Sequence, residues 1–461
     1  MSGALDKFSR LAALKPARVI PSKPAALRAP EEADVIANLL GAGVAKNHFG
    51  EHLAIRNWFS TPEFSDPSPI AFELLSRTRG RSLPIRTRSE SLSIRARAAL
   101  EDSQKWLFLD TETTGLAGGT GTYAFLIGLA WWDAGGLQVE QFFMRDFAEE
   151  HSLLYELSDR LAARPVLITF NGKSFDWPLL ESRFTMTRSI PAPKLAAHLD
   201  LLHPARALWK LRLGSVRLTE LESHVLDSNH LGYRRDDDIS SAMIPQYYFD
   251  YLRGGSAAPL AGVVRHNQMD LRALAALYCR MNELLADETG HSNQIESLDL
   301  FGLSRFLRRR GDADRAQSAC AQALAIGLPA EIRPKARREL AFMAKRRGEH
   351  ARAAELWNEI VADPHDGIHA CEQLAIYFEH HAKDMSRATE FARLALAKLQ
   401  RNRATSRDPY AASQLARLEQ KLMHRLARLE HRMKISGDSA KPLPLSCSQA
   451  ETDMERLDRL R

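Results

Sequence analysis

Apolar and polar positions are patterned differently along the chain, and the pattern changes near residues 105 and 298. The stretch KWLFLD, Lys105 to Asp110, is a continuous apolar run ending in turn residues, as expected of a strand buried on both faces. YAFLIGLAWWD and LQVEQFFMRD follow at hairpin distance, with Asp133 to Gly136 as the turn. In EEHSLLYELSDRLAAR the apolar residues recur at helical spacing, and Pro165 stops the helix. VLITF reads as a second buried strand, and the turn NGKSFD leads into another helix. A last helix over roughly His266 to Leu285 closes the region. Successive strands, a helix and a further strand predict an α/β sandwich on a mixed sheet over residues 101–290.

The flanks read differently. Residues 1–100 predict a partly disordered, basic N-terminal region, broken early by Pro16, Pro21, Pro24 and Pro30. Within it, RTRGRSLPIRTRSESLSIRAR sets Arg77, Arg79, Arg81, Arg86, Arg88, Arg95 and Arg97 against the single acid Glu90. This stretch reads first as a solvated linker and second as a phosphate-tracking segment. Between these parts NHFGEHLAIRNWF predicts a small strand pair. Over residues 298–435 the pattern is helical and repetitive: GDADRAQSACAQAL, GEHARAAELWNEIV and KDMSRATEFARLAL align at Arg315, Arg352 and Arg387, with periods of 37 and 35 residues. The copies resemble tetratricopeptide repeats. Gly311 and Gly348 fit the turn within each helix pair, where the third copy has Lys383. Residues 436–461, including SGDSAKPLPLSCSQ, read as a disordered tail.

Composition narrows the class. A length of 461 residues suggests about two or three domains. The chain is 45% hydrophobic and 26% charged with a mean hydropathy of −0.30, ordinary for a soluble globular protein. Its longest apolar run, Tyr123 to Trp132, is too short to span a bilayer, and the N-terminus lacks the pattern of a signal peptide. Cys279, Cys320, Cys371 and Cys447 are too scattered for a disulfide framework or a CxxC zinc site, which suits a reducing cytoplasm. A net charge of +6 permits a polyanionic partner without requiring one.

The chemistry begins at Asp110-Thr111-Glu112. Residues i and i+2 of a strand share a face, so both carboxylates point the same way at the strand's end. Like charges so placed repel unless a cation neutralises them, and oxygen-only sites suit Mg²⁺ or Mn²⁺. Asp176 follows the second buried strand, where it could also serve the start of a helix. Gly172-Lys173-Ser174 imitates the end of a phosphate-binding loop, but Leu167 stands where its first glycine would be, so that reading is rejected. GLAGGTG, Gly115 to Gly121, reads as a loop rimming the site. His266 and Asp270 are four apart on one helix face, which Leu274 and Leu277 continue into the core. Alone, His266 would be read as a satisfied, half-buried histidine. Asp200 and His203 are nearby polar residues for which a supporting role is expected.

FLDTETTGL, LITFNGKSFD and RHNQMDLRAL together resemble the exonuclease motifs of the DEDD superfamily, whose fold is RNase H-like. The pieces GGTGTYAFLIGLAWW, HLDLLHPARALWK and IPQYYFDYLRGG resemble its YprB-like branch, which joins such a domain to tetratricopeptide-like repeats. The resemblance covers roughly residues 100–285. It implies a 3′–5′ exonuclease acting on DNA or RNA with about two Mg²⁺ or Mn²⁺ ions. It places Asp110 and Glu112 in the first motif, Asp176 in the second and Asp270 in the third, with His266 as general base. The third motif is His-x3-Asp, the spacing of the superfamily's tyrosine branch, where its histidine branch has His-x4-Asp. The competing expectation is a nucleic-acid-binding scaffold with a nuclease-like fold, whose repeats dock a protein partner.

Overall fold

The computed structural model describes residues 30–60, 69–76, 99–100, 102–115, 121–133, 135–226, 231–286, 295–364, 366–405 and 409–436. The arginine-rich stretch, the middle of the glycine-rich loop and the C-terminal tail lie outside the described residues. The chain divides into two compact units: Met1–Pro204 with Ser215–Ala286, and Ala205–Gly214 with Asp287–Arg461.

The first unit is built on a seven-stranded sheet, and the expected α/β class with a mixed sheet is the one observed. Its elements are α1 (Pro30–Leu40), β1 (Gly43–Asn47), β2 (Gly50–Ser60), α2 (Pro69–Ser76), β3 (Trp106–Thr113), β4 (Ala124–Asp133), β5 (Gly136–Phe143), α3 (Glu150–Ala163), β6 (Val166–Thr169), α4 (Asp176–Thr187) and β7 (Ala197–Asp200). Next come α5 (Leu202–Leu213), which runs on into the second unit, α6 (Ile244–Leu252) and α7 (Ala258–Ala286). The strand order is β1-β2-β5-β4-β3-β6-β7. Pairs from β1 through β3 are antiparallel, whereas β3, β6 and β7 run parallel. The apolar runs explain the centre: every residue of Trp106–Leu109 and Val166–Thr169 is buried, as parallel strands covered on both faces require.

Three expectations are corrected. Residues 43–60 form the strand pair expected around NHFGEHLAIRNWF, but as two strands of the main sheet rather than part of a partly disordered lead-in, because β2 also pairs with β5 from Leu53↔Phe143 to Ser60↔Gly136. β7 is a further strand, only four residues long, beside β6. The closing helix starts at Ala258 rather than near His266. Gly262 is tolerated in that added stretch because Ile239 occupies the space its side chain would fill, 2.8 Å from an ideal Cβ.

One face of the sheet holds α3, where buried Glu140 of β5 pairs with Arg160 at 2.7 Å. The opposite face holds α7. Gly128 of β4 lets α7 approach: a Cβ there would collide with Asn267 Oδ1 and meet Leu271 Cδ1 at 2.7 Å.

The second unit is helical, as expected: α8 (Ser297–Arg310), α9 (Ala313–Ile326), α10 (Arg333–Arg346), α11 (His350–Asn358), α12 (Gly367–His380), α13 (Met385–Thr405) and α14 (Pro409–Ser436). The turns after α8, α10 and α12 place Gly311, Gly348 and Lys383 at φ +88°, +82° and +57°. Cys279, Cys320 and Cys371 are free and buried. No helix among the described residues is long and apolar enough to cross a membrane.

Candidate active site

The site lies at the carboxyl ends of the parallel strands β3, β6 and β7, beside the point where the sheet changes from antiparallel to parallel pairing. In open α/β sheets that is where crevices form. β3 delivers Asp110 and Glu112, and the register slips between Glu112 and Thr113, which ends regular pairing at the acids. The turn after β6 brings Asp176 to the first position of α4. That turn is pinned by Asp200 at the end of β7, whose carboxylate accepts the backbone N–H groups of Asn171 (2.8 Å), Lys173 (3.2 Å) and Leu202 (3.0 Å). Asn171 adopts φ +67°, a left-handed conformation that asparagine tolerates. The amides that a phosphate-binding loop would offer to phosphate are thus committed to a carboxylate. Asp200 supports the site, and His203 is exposed.

The third motif arrives on α7. Asn267 is fully buried and joins the sheet to the helix: its Nδ2 donates to Asp110 Oδ2 (2.8 Å), and its Oδ1 accepts from Gln141 of β5 (2.8 Å). Gln141 also donates to the Val264 carbonyl (2.9 Å). One turn of α7 is thereby locked against β5 and β3, and Asp270 is placed over the acids of β3.

Burial pushes Asp110 well above the usual carboxylate range, and the charges of Asp270, Glu112 and Asp176 push it further, against a hydrogen bond from Asn267. Burial raises Glu112 as strongly, with Asp270, Asp176 and Asp238 adding to it. Asp176 is raised by burial despite accepting from Thr111 Oγ1 at 2.5 Å. The structure therefore brings Asp110, Glu112, Asp176 and Asp270 into one field of mutual repulsion. Among the described residues no Lys, Arg or His forms an ion pair with Asp110, Glu112 or Asp176.

Residues between β7 and α6 complete the site, and sequence reasoning missed them. Asp238 lies 2.8 Å from His266 Nδ1, and Arg235 donates Nη1 to Asp238 (2.8 Å), both Nε and Nη2 to Glu222 (2.6 Å each), and Nη2 to Asp270. Burial opposes the charge on Asp238, but hydrogen bonds from His266 and Arg235 hold its carboxyl below the ordinary range. An ionised Asp238 makes Nδ1 of His266 the donor, and directs Nε2 toward Ser241 Oγ (3.2 Å) and Asp270 Oδ2 (3.6 Å). His266 is hydrogen-bonded, as its single-residue reading expected, but buried rather than half-buried. Its Nε2 nevertheless faces the third-motif acid.

The donor set suits a hard divalent cation, since it consists of carboxylates whose charges are crowded and, for Asp110, Glu112 and Asp176, uncompensated. Among the described residues, however, no three His, Cys, Asp or Glu side chains are gathered closely enough to hold an ion as they stand. Protein groups hold three of the acids apart: Asp110 is turned to Asn267, Asp176 to Thr111 and Asp270 to Arg235.

Comparison with known proteins agrees with this architecture. Residues 107–282, from β3 through most of α7, match the RNase H superfamily. The uncharacterized protein YprB of Bacillus subtilis (strain 168) is 31% identical over 294 residues, covering 63% of this chain and 68% of that protein. Such a fold points to nuclease-type chemistry on nucleic acid. The chain thus belongs to one family with YprB and carries an RNase H superfamily domain over residues 107–282.

Proposed function

We propose that this chain is a cytoplasmic, metal-dependent nuclease that hydrolyses phosphodiester bonds of DNA or RNA, working as a 3′–5′ exonuclease with Mg²⁺ or Mn²⁺. The observation that carries the reading is the crowding of Asp110, Glu112 and Asp176, at the carboxyl end of β3 and the start of α4, with no cationic partner among the described residues. Bound divalent ions, about two in this type of chemistry, would acidify the attacking water and stabilise charge on the phosphoryl and leaving oxygens. Asp110, Glu112 and Asp270 would hold the ion that activates the water, and Asp176 would serve the other. His266 would accept a proton at Nε2, its ring oriented by Asp238 on Nδ1. Gln141 and Asn267 fix Asp110.

The test offers end-labelled DNA and RNA with Mg²⁺ or Mn²⁺, with EDTA and Asp110→Ala as controls. Stepwise shortening from the 3′ end is expected, abolished by EDTA and by Asp110→Ala or Glu112→Ala. His266→Ala should slow the reaction by about 10²-fold, less than loss of Asp110, because a general base contributes about 10²–10⁴-fold. Equal turnover by wild type and Asp110→Ala would sink the assignment.

A second reading, a nucleic-acid-binding scaffold, is favoured by one observation: Asp270 already has a cation in Arg235. Under it, wild type and Asp110→Ala retain labelled strands equally and cut neither. In both readings the helix pairs of residues 298–435 would dock a protein partner. Arg305, Arg308 and Arg347 there are engaged by Glu339, Asp314 and Glu349, which argues against a bare phosphate-binding surface.

A further inference from the structure

The segment Leu231–Met243 lies along α7. At one end Tyr233 donates its hydroxyl to the Met269 carbonyl (3.0 Å), and the Arg272 guanidinium sits 4.6 Å from the Tyr233 ring centre while donating to the Leu231 carbonyl. At the other, Ile239 covers Gly262 and Ser241 reaches His266. Between these anchors Arg235 points inward, its side chain only 13% exposed. Glu222, itself 3% exposed, grips the guanidinium with both oxygens, and Asp238 takes a third bond. Its contact with Asp270 is the one that enters the acid cluster.

We infer that Arg235 is a built-in counter-ion that occupies Asp270 and must yield it to a divalent cation before the site is complete. This rests on the metal reading above. A guanidinium stays charged in proteins, so Arg235 cannot yield Asp270 by losing its proton. It can yield by geometry. Glu222 and Asp238 retain the guanidinium, so only the Nη2 contact to Asp270 needs to break, and the strap can stay anchored at Tyr233 and Ile239. An arriving cation favours that exchange twice, by repelling the guanidinium and by attracting the carboxylate. Arg235 thus keeps the cluster from carrying a fourth uncompensated acid when empty, and in return weakens the hold on the ion.

The experiment measures Mn²⁺ binding to the full chain by the loss of the free-ion electron paramagnetic resonance signal, with no nucleic acid present. Replacing Arg235 alone would strand buried Glu222, so the informative variant is Glu222→Gln with Arg235→Gln, which leaves net charge unchanged. We expect that double variant to bind Mn²⁺ about tenfold more tightly or better, the scale of one charge-assisted hydrogen bond. Asp110→Asn should remove the binding in either background. Asp110-dependent binding of equal strength in wild type and double variant overturns the inference while leaving the metal reading intact. Binding that is absent, or indifferent to Asp110, overturns the metal reading and the inference with it. If the double variant fails to fold, Arg235→Lys decides: it keeps a positive charge beside Glu222 but lacks the planar fork that reaches Glu222, Asp238 and Asp270 together. Mn²⁺ should bind that variant more tightly than wild type, and Asp110-dependent binding of equal strength in the two overturns the inference.

Discussion

The acids gathered at the end of β3 and the buried carboxylates of the second unit are treated in opposite ways, and Glu140, Glu150 and Glu222 of the first unit, paired with Arg160, Arg183 and Arg235, follow the second pattern. In the second unit each buried carboxylate has a basic partner from another helix. Glu379 of α12, fully buried, receives Arg425 and Arg428 of α14 at 2.5 Å each, and Arg432 at 3.5 Å. Glu372, one heptad earlier, receives Lys421 at 2.5 Å, and Glu339 of α10 receives Arg308 of α8 at 3.0 Å. In the first unit, Asp110, Glu112 and Asp176 have only each other and neutral hydrogen-bond donors. The electrostatic outcome follows: a hydrogen bond from His369, helped by Lys421, draws Glu372 down to about 2 despite burial, whereas burial and like charges drive Asp110 and Glu112 far up. An acid that builds the fold is neutralised by the fold. An acid left in repulsion marks a site, and under the proposed function its missing partner is a divalent cation.

The sharpest break of that comparison is a pair of isosteric amides. Glu379→Gln leaves Arg425 and its neighbours without their counter-charge and should cost about 3 kcal/mol, the low end for breaking a buried pair. It sits at the low end because the side chains of Arg428 and Arg432 are 44% and 52% exposed and can be hydrated. Asp110→Asn in metal-free buffer should leave the melting temperature unchanged or raised, since a repulsion is removed and the oxygen facing Asn267 is kept. Calorimetry on both variants decides, and a clear loss of stability in Asp110→Asn would mean that its charge is structural.

Two glycines sharpen the contrast at somewhat smaller cost. Gly128 admits α7 to the sheet, and Gly302 of α8 lies against α5, where a Cβ would come within 3.0 Å of the Leu208 carbonyl carbon. Alanine at either position should destabilise its unit by about 1–3 kcal/mol through overpacking. Only Gly128→Ala displaces Asn267 and so disturbs Asp110. We expect hydrolysis to fall in Gly128→Ala and to persist in Gly302→Ala at temperatures where both remain folded. Equal effects on rate would remove Asn267 from the positioning of Asp110.

How far the sequence reads follows from the range of the forces involved. Asp110, Glu112 and Asp176 were legible because a buried apolar run and a turn mark the end of each strand. Asp270 was legible because its helix face continues through Leu274 and Leu277, both buried. Arg235 and Asp238 were not, for they stand in the charge run RRDDD, where Arg234, Asp236 and Asp237 are exposed and Arg235 and Asp238 turn inward. No local periodicity tells those members apart, because the choice is made by Glu222, His266 and Asp270, distant in sequence. The partner of β2 was hidden for the same reason, although GEHLAIRNWFS reads as a strand. In α14 a signal was present: Lys421, Arg425, Arg428 and Arg432 recur at spacings of four, three and four, one face of a helix. Only the structure shows that this face meets Glu372 and Glu379.

Acid titration probes the paired treatment of charge in the second unit. The folded pKa of Glu372 lies near 2, below its ordinary 4.5, so the folded state binds fewer protons in that interval. Its stabilisation is therefore fully present above pH 4.5 and is lost as pH falls toward 2. Glu372→Gln should cost about 1–2 kcal/mol at neutral pH, the scale of a charge-assisted hydrogen bond partly open to water. That difference from wild type should shrink through the same interval. Denaturant midpoints at a series of pH values test this, and a difference independent of pH would show that Lys421 contributes packing rather than charge.

The smallest effect concerns the turn that departs from its siblings. After α8 and α10 the left-handed position is glycine, and the next amide bonds the carbonyl five residues back, Asp312 to Leu307 and Glu349 to Ala344. After α12 the position is Lys383, and Asp384 reaches six residues back, to Phe378 at 2.9 Å. The turn is one residue wider, yet it still demands φ +57° from a side chain that crowds its own backbone there. The left-handed conformation costs an ordinary residue about 1–2 kcal/mol. Glycine would relieve that strain but adds about 0.5–1 kcal/mol of backbone entropy in the unfolded chain. Lys383→Gly should therefore stabilise the second unit by no more than about 1 kcal/mol, leaving the Asp384 side chain on the Arg387 amide (2.9 Å) in place. A small rise in melting temperature is the expected reading. A fall would mean that the lysine side chain is needed at this turn.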